Sequence, residues 1–180
     1  MFKKIKSDYR AYKLNSYHLI IGIFTMNTFY LVLLYRISHQ LFILNIPLLP
    51  SILRSISLII FGADISPAAV IGEGFRVAHS FGIVIGSDVV IGKNFQIFQC
   101  VTIGGKDFER NGRTMPLIGD NVTVFTSSSI LGPIFIGDNV SIGANSLVIK
   151  DIPDSVSVGG VPAKILRRID YPHSLKSLQK

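Results

Sequence analysis

His79 lies in the run RVAHSFGIVIG, beside a break in an otherwise strict repeat. A histidine that titrates near neutrality can take a proton from a hydroxyl or amine as that group attacks a carbonyl. Such a base works better when a carboxylate holds its second ring nitrogen and favours the imidazolium. Asp64, fifteen residues earlier, is the candidate partner; it also reads as a turn residue opening a strand. His18 and His39 fall in apolar N-terminal segments and His173 in the C-terminal tail, so none of them shares this context. Cys100 is the single cysteine. It cannot form an internal disulfide, which fits a reducing cytosol, and it reads as a small buried hydrophobe in a strand.

The element that must position His79 is a repeat. From Ile65 onward an aliphatic residue recurs every six positions: Ile65, Ile71 and Val77, then Ile85, Ile91, Ile97 and Ile103, then Ile118, Val124, Ile130, Ile136, Ile142 and Val148. Neither the helical period of 3.6 nor simple strand alternation yields a strict six, whereas hexapeptide repeats of a parallel β-helix do. Each hexad contributes one short strand, and the small residue that often follows the aliphatic one permits the bend. A single coil cannot bury its apolar face, so coils must stack and the ends must be capped. The fold expected is mainly β, a parallel β-helix behind a short α-helical segment.

The register breaks twice. Two residues are inserted beside His79, between Val77 and Ile85, and a loop over 105–117 is extruded between Ile103 and Ile118. Loops on a rigid scaffold are where function concentrates, so both breaks mark the candidate site. The loop carries Lys106, Arg110 and Arg113, and Arg113 is the candidate for acceptor binding. The organisation expected is a helical segment over 1–62, a solenoid over 63–163 and a tail over 164–180.

The net charge is +7, with basic residues gathered near both ends and 48% apolar composition overall. No nucleic-acid-binding motif accompanies them, so nucleic acid is not an expected partner. The apolar stretch from Leu19 to Tyr35 is interrupted by Thr25, Asn27 and Thr28 and is short for a membrane span. A helix starting near Asn27 and ended by Pro47 and Pro50 is expected instead, with a second apolar stretch from Ile52 to Phe61 leading into Gly62. These helices can cap the solenoid, bury one another in an oligomer or rest on a membrane surface; packing within the protein is the preferred reading. The expected location is the cytoplasm, with contact at the inner membrane face as an option.

The stretch ADISPAAVIGEGFRVAHSFGIVIGSDVVIGKNFQIFQCVTIGG, the loop, and then PLIGDNVTV, SILGPIFIGDNVSIGANSLV and GGVPAKIL resemble the serine acetyltransferase branch of the hexapeptide acyltransferases over about residues 62–168. The resemblance implies a left-handed coil, a homotrimer, and acetyl-CoA bound between adjacent subunits. It assigns His79 as the catalytic base and Asp64 as its orienting carboxylate. It places Gly104 and Gly105 against the thioester arm, where a missing Cβ leaves room. Thr126 and Ala144 would line the CoA groove, with Lys164 near the nucleotide end. No metal is implied, and one histidine in the repeats does not suffice for the three-histidine zinc site that the same fold can carry.

Two positions depart from the family. An aspartate directly before the catalytic histidine and a second histidine in the loop help to hold the amino-acid substrate there; this chain has Ala78 and Met115. The expectation drawn from them is acetyl transfer to a hydroxyl of a saccharide, in bacterial surface-polysaccharide synthesis, with serine acetylation as the alternative.

Overall fold

The computed structural model describes residues 1–12 and 27–169. His18, His173 and the first part of the apolar stretch from Leu19 lie outside the described residues. Helices α1 (Phe2–Ala11), α2 (Asn27–Ile43) and α3 (Leu49–Phe61) come first. Pro50 does not break a helix as expected. It occupies the first turn of α3, where its missing N–H costs nothing, and Gly62 in the left-handed region (φ 64°) ends the helix.

Strands then wind into about five coils of a left-handed parallel β-helix. β1 (Ala63–Ile65), β2 (Val70–Ile71) and β3 (Arg76–Val77) form the first coil; β4 (Ile83–Ile85), β5 (Val90–Ile91) and β6 (Gln96–Ile97) the second; β7 (Thr102–Gly104), β8 (Leu117–Ile118) and β9 (Thr123–Val124) the third. β10 (Ser129–Leu131), β11 (Phe135–Ile136) and β12 (Ser141–Ile142) follow, then β13 (Leu147–Val148) and β14 (Val156–Gly159). The first sheet is β1-β4-β7-β10-β13, the second β2-β5-β8-β11, and the third β3-β6-β9-β12-β14. β15 (Lys164–Arg168), at the start of the expected tail, adds to the third sheet antiparallel to β14.

All thirteen repeat aliphatics point inward and are at most 4% exposed. A second buried column, two residues earlier in each hexad, includes Ala63, Phe75, Phe95, Val101 and Val122; strand alternation turns both positions to the same face. Several of the glycines after the aliphatics have a role beyond the bend expected of them. A Cβ on Gly92 would lie 2.7 Å from the Gly119 carbonyl carbon of the next coil. Close approach between stacked coils excludes larger residues at Gly72, Gly92, Gly119 and Gly137.

The first coil has no coil beneath it, so its strand edge would leave backbone groups unpaired. The helices satisfy them with polar side chains. Tyr35 donates to the Ala69 carbonyl at 2.7 Å, Arg36 to the Ile71 and Gly72 carbonyls, and Ser57 to the Ala63 carbonyl. The His39 Nδ1 lies 2.8 Å from the Pro67 carbonyl oxygen. Asp8 accepts from the Phe75 N–H, and the Tyr12 hydroxyl from the Val77 N–H. Burial is the main reason that the His39 imidazole sits below its ordinary pKa. No helix among the described residues is long and apolar enough to cross a membrane.

Candidate active site

His79 occupies the corner between the third and first sheets, in the two-residue insertion, and it is exposed. Its ring tilts against Phe98 (centroids 6.4 Å apart), and Phe98 stacks on Phe125 at 5.0 Å. Val77, Ile97, Val124, Ile142 and Val158 are register partners in successive coils. Two residues past each, along one corner, stand His79, Gln99, Thr126, Ala144 and Gly160; because of the insertion, Phe81 and not His79 accepts from the Cys100 N–H of the next coil. Four coil spacings of about 4.8 Å make this column about 19 Å long. Lys164, exposed on β15, pairs with Gly159 at its far end. The Thr126 hydroxyl donates to the Gln99 carbonyl at 3.1 Å.

Gln99 was not singled out from the sequence. Its Oε1 is buried without a hydrogen-bond partner, beside the column it shares with His79. Spacings of 20, 27 and 18 residues between coil partners would have found it, but only once the two register breaks were assigned to particular corners.

Asp64 lies on β1 with its side chain outward, opposite Val84. Arg54 of α3 holds both of its carboxylate oxygens, Nε to Oδ1 at 2.5 Å and Nη2 to Oδ2 at 2.8 Å. The structure thus gives Asp64 to Arg54 and not to His79. Asp64 stacks on a residue 20 positions later because of the same insertion that carries His79.

Gly104 and Gly105 lie at a different corner, where the loop leaves β7. Gly104 is open: the nearest heavy atom to a built Cβ is the Leu131 Cδ2 at 3.9 Å. Gly105 is not open, because the Met115 Sδ and Cε would both lie 3.1 Å from such a Cβ. Arg113 is bound within its own chain, donating from Nη2 to the Asp88 carbonyl at 2.9 Å. The cavities beneath the loop are lined by Arg110, Arg113 and Met115 or by Gly105, Lys106 and Phe108, without His79. One chain therefore does not bring His79 together with Gly104 or Arg113. Cys100, expected in a strand interior, is exposed in a corner turn at φ 57°. No group of three metal-ligating side chains occurs among the described residues.

No family model matches the chain. The serine acetyltransferase of Buchnera aphidicola is 40% identical over 152 residues, 84% of this chain and 58% of that protein. The crystal structure of Neisseria gonorrhoeae serine acetyltransferase superposes with TM-score 0.85 at 36% identity, covering 99% of this chain and 69% of that one. The chain belongs to the serine acetyltransferase family. The enzyme from Brucella abortus, solved in complex with coenzyme A, matches with TM-score 0.84 at 30% identity, over 93% of this chain and 68% of that one. The same Neisseria enzyme has also been solved with serine, and matches there with TM-score 0.82 at 35% identity over 92% of this chain and 68% of that one. This chain spans little more than half the length of the Buchnera protein.

These matches overturn the saccharide acceptor and the role in polysaccharide synthesis. Both were drawn from Ala78 and Met115, and the structure accounts for Met115 by packing. Met115 fills the space over Gly86 and Gly105. Ala78 donates its N–H to the Ile97 carbonyl and occupies the position in its coil that Phe98 and Phe125 occupy in theirs.

Proposed function

We propose that this chain acetylates the hydroxyl of serine with acetyl-CoA as donor, in the cytoplasm, as a homotrimer. The observation that carries the reading is the corner column: an exposed His79 followed by the small residues Thr126 and Ala144, ending beside Lys164. An elongated thioester fits along such an edge, and the Lys164 ammonium suits its phosphates. In a trimer, the corner of a neighbouring copy brings Gly104, whose open face admits the thioester arm, up to His79.

The donor supplies an acetyl group activated as a thioester. His79 takes the proton from the serine hydroxyl as the oxygen attacks the thioester carbonyl. Backbone N–H groups at the Gly104–Gly105 turn stabilise the developing oxyanion. The imidazolium then gives its proton to the departing sulfur, leaving O-acetylserine and CoA. Asp64, held by Arg54 in the resting structure, steadies the charged imidazolium only by exchanging Arg54 for His79 during the reaction, and Arg113 shapes the loop beside the acceptor. No covalent enzyme intermediate is required.

The test follows thiol release from acetyl-CoA with L-serine. Wild-type protein turns over, and His79→Ala loses about 10²- to 10⁴-fold in kcat/KM while calorimetry shows unchanged CoA binding. Activity retained by His79→Ala overturns its role. Absence of turnover with L-serine in the wild type overturns the acceptor.

A further inference from the structure

Within the helical cap, α2 buries Leu31 and Val32 beside its polar contacts, but α3 is apolar mainly toward the outside, the reverse of an ordinary surface helix. The inner side has to be polar, because the open edge of the first coil needs hydrogen-bond partners. In α3 the buried residues are Pro50 and Ser57, while Ile52 (51%), Ile59 (82%) and Ile60 (65%) are exposed. Leu49 and Ile56 extend this stripe at helical spacing, and Leu48 continues it at 78% exposure. An exposed aliphatic face of this length requires an occupant.

Charge identifies it. Residues 1–62 contain Lys3, Lys4, Lys6, Arg10, Lys13, Arg36 and Arg54 against a single acid, Asp8, so this segment carries +6 of the chain's net +7. Asp8 and Asp64 neutralise Arg36 and Arg54. Lys3, Lys6 and Arg10 are exposed. A second copy packed on this face would bring like charges together, whereas an anionic surface attracts them. Exposed aliphatics on one short helix of the cap and exposed basic side chains on another are what an interfacial, non-spanning attachment requires.

We propose that the cap is a lipid-binding surface: α3 lays its aliphatic stripe into the interface of an anionic bilayer while the basic residues of α1 engage the headgroups. The solenoid then stands off the membrane with its corner column in water. This surface is independent of the acetyl-transfer reading.

The test is flotation of the full chain with phosphatidylcholine vesicles, with and without phosphatidylglycerol. Wild type floats with the anionic vesicles and stays behind with the neutral ones. Ile59→Asp lowers anionic-vesicle binding by about tenfold or more, with an unchanged circular-dichroism melt and unchanged mass by light scattering. The paired change Lys3→Glu, Lys6→Glu, at two exposed sites, weakens binding without touching α3. The proposal is overturned if wild type fails to float with anionic vesicles, or if Ile59→Asp and the lysine variant both bind as wild type does. It is equally overturned if Ile59→Asp reduces the particle mass, since the stripe then belongs to a second copy of this chain.

Discussion

Arg54 and Asp64 form a two-pronged ion pair that ties helix α3 to the first strand of the solenoid. The hydrogen bond to Asp64 raises the Arg54 pKa, so the guanidinium stays charged throughout the working range. If Asp64 serves His79 during the reaction, Arg54 competes for it. Arg54→Met removes that competition and also a nearby positive charge, and both changes favour the protonated imidazole. The acidic limb of the kcat/KM profile should then move up by about half a pH unit to one unit, and Asp64→Asn should move it down. A limb that stays in place in both variants means that the carboxylate and the base are uncoupled.

Asp8 and Arg36 form a buried ion pair at 2.7 Å, 0% and 2% exposed, and both also bind backbone groups of the first coil. Removing one partner leaves the other charge without compensation in the interior. Asp8→Asn should cost about 3–5 kcal/mol in urea unfolding. The double variant Asp8→Asn, Arg36→Met should cost less than the sum of the two single changes, because neither charge is then stranded.

His39 gives the cap a pH dependence of known sign. Burial, followed by the positive charges of Lys4 and Arg36, lowers its pKa, while the hydrogen bond to Pro67 opposes that shift. Asp8 and Tyr35 also face this cluster. With the folded pKa below the unfolded value of about 6.5, the two states bind equal numbers of protons above that pH. As pH falls through it, the unfolded chain takes up the proton first and stability is lost, until the folded pKa is reached. Thermal melts should fall between about pH 7 and 5, and His39→Asn, which keeps a donor for Pro67, should flatten part of that slope.

Sequence periodicity made the solenoid legible, because thirteen in-register aliphatics have no other economical explanation. The corner of His79 was legible for the same reason, since an insertion in a strict repeat is visible. What lay beyond reach was contact between residues with no common period. Asp8 is the one acid in a basic terminus, and only the fold places it under Phe75. Arg54 is the one charged residue of α3, and nothing in its spacing points to Asp64. Met115 was weighed as a missing substrate ligand, and only coordinates show it packed over two glycines.

Gly92 tests the reading of the repeat glycines. If they only eased a bend, alanine would cost little, since no left-handed backbone is required at Gly92. The approach of Gly119 predicts otherwise: Gly92→Ala must push two coils apart, at about 1–3 kcal/mol, measurable as a lowered denaturation midpoint. Gly104→Ala, with open space around it, should leave stability within about 0.5 kcal/mol and act on the donor KM instead.

The extruded loop is held to the next coil by Asp151, which accepts from the Phe135 N–H at 2.9 Å and from the Arg110 Nη1 at 2.7 Å. The first of these, then the second, lowers the Asp151 pKa below the ordinary carboxylate value. The tether is therefore intact above about pH 4 and is lost as pH falls through the lowered folded value. At neutral pH Asp151→Asn keeps the shape and removes the charge. It should leave the global melt nearly unchanged, since both partners are largely exposed. Limited proteolysis within 105–117 should quicken by about threefold or more. If cleavage is no faster, the loop holds its place through Met115 and the Arg113 contact with Asp88 alone, and Arg110 is free to meet the acceptor.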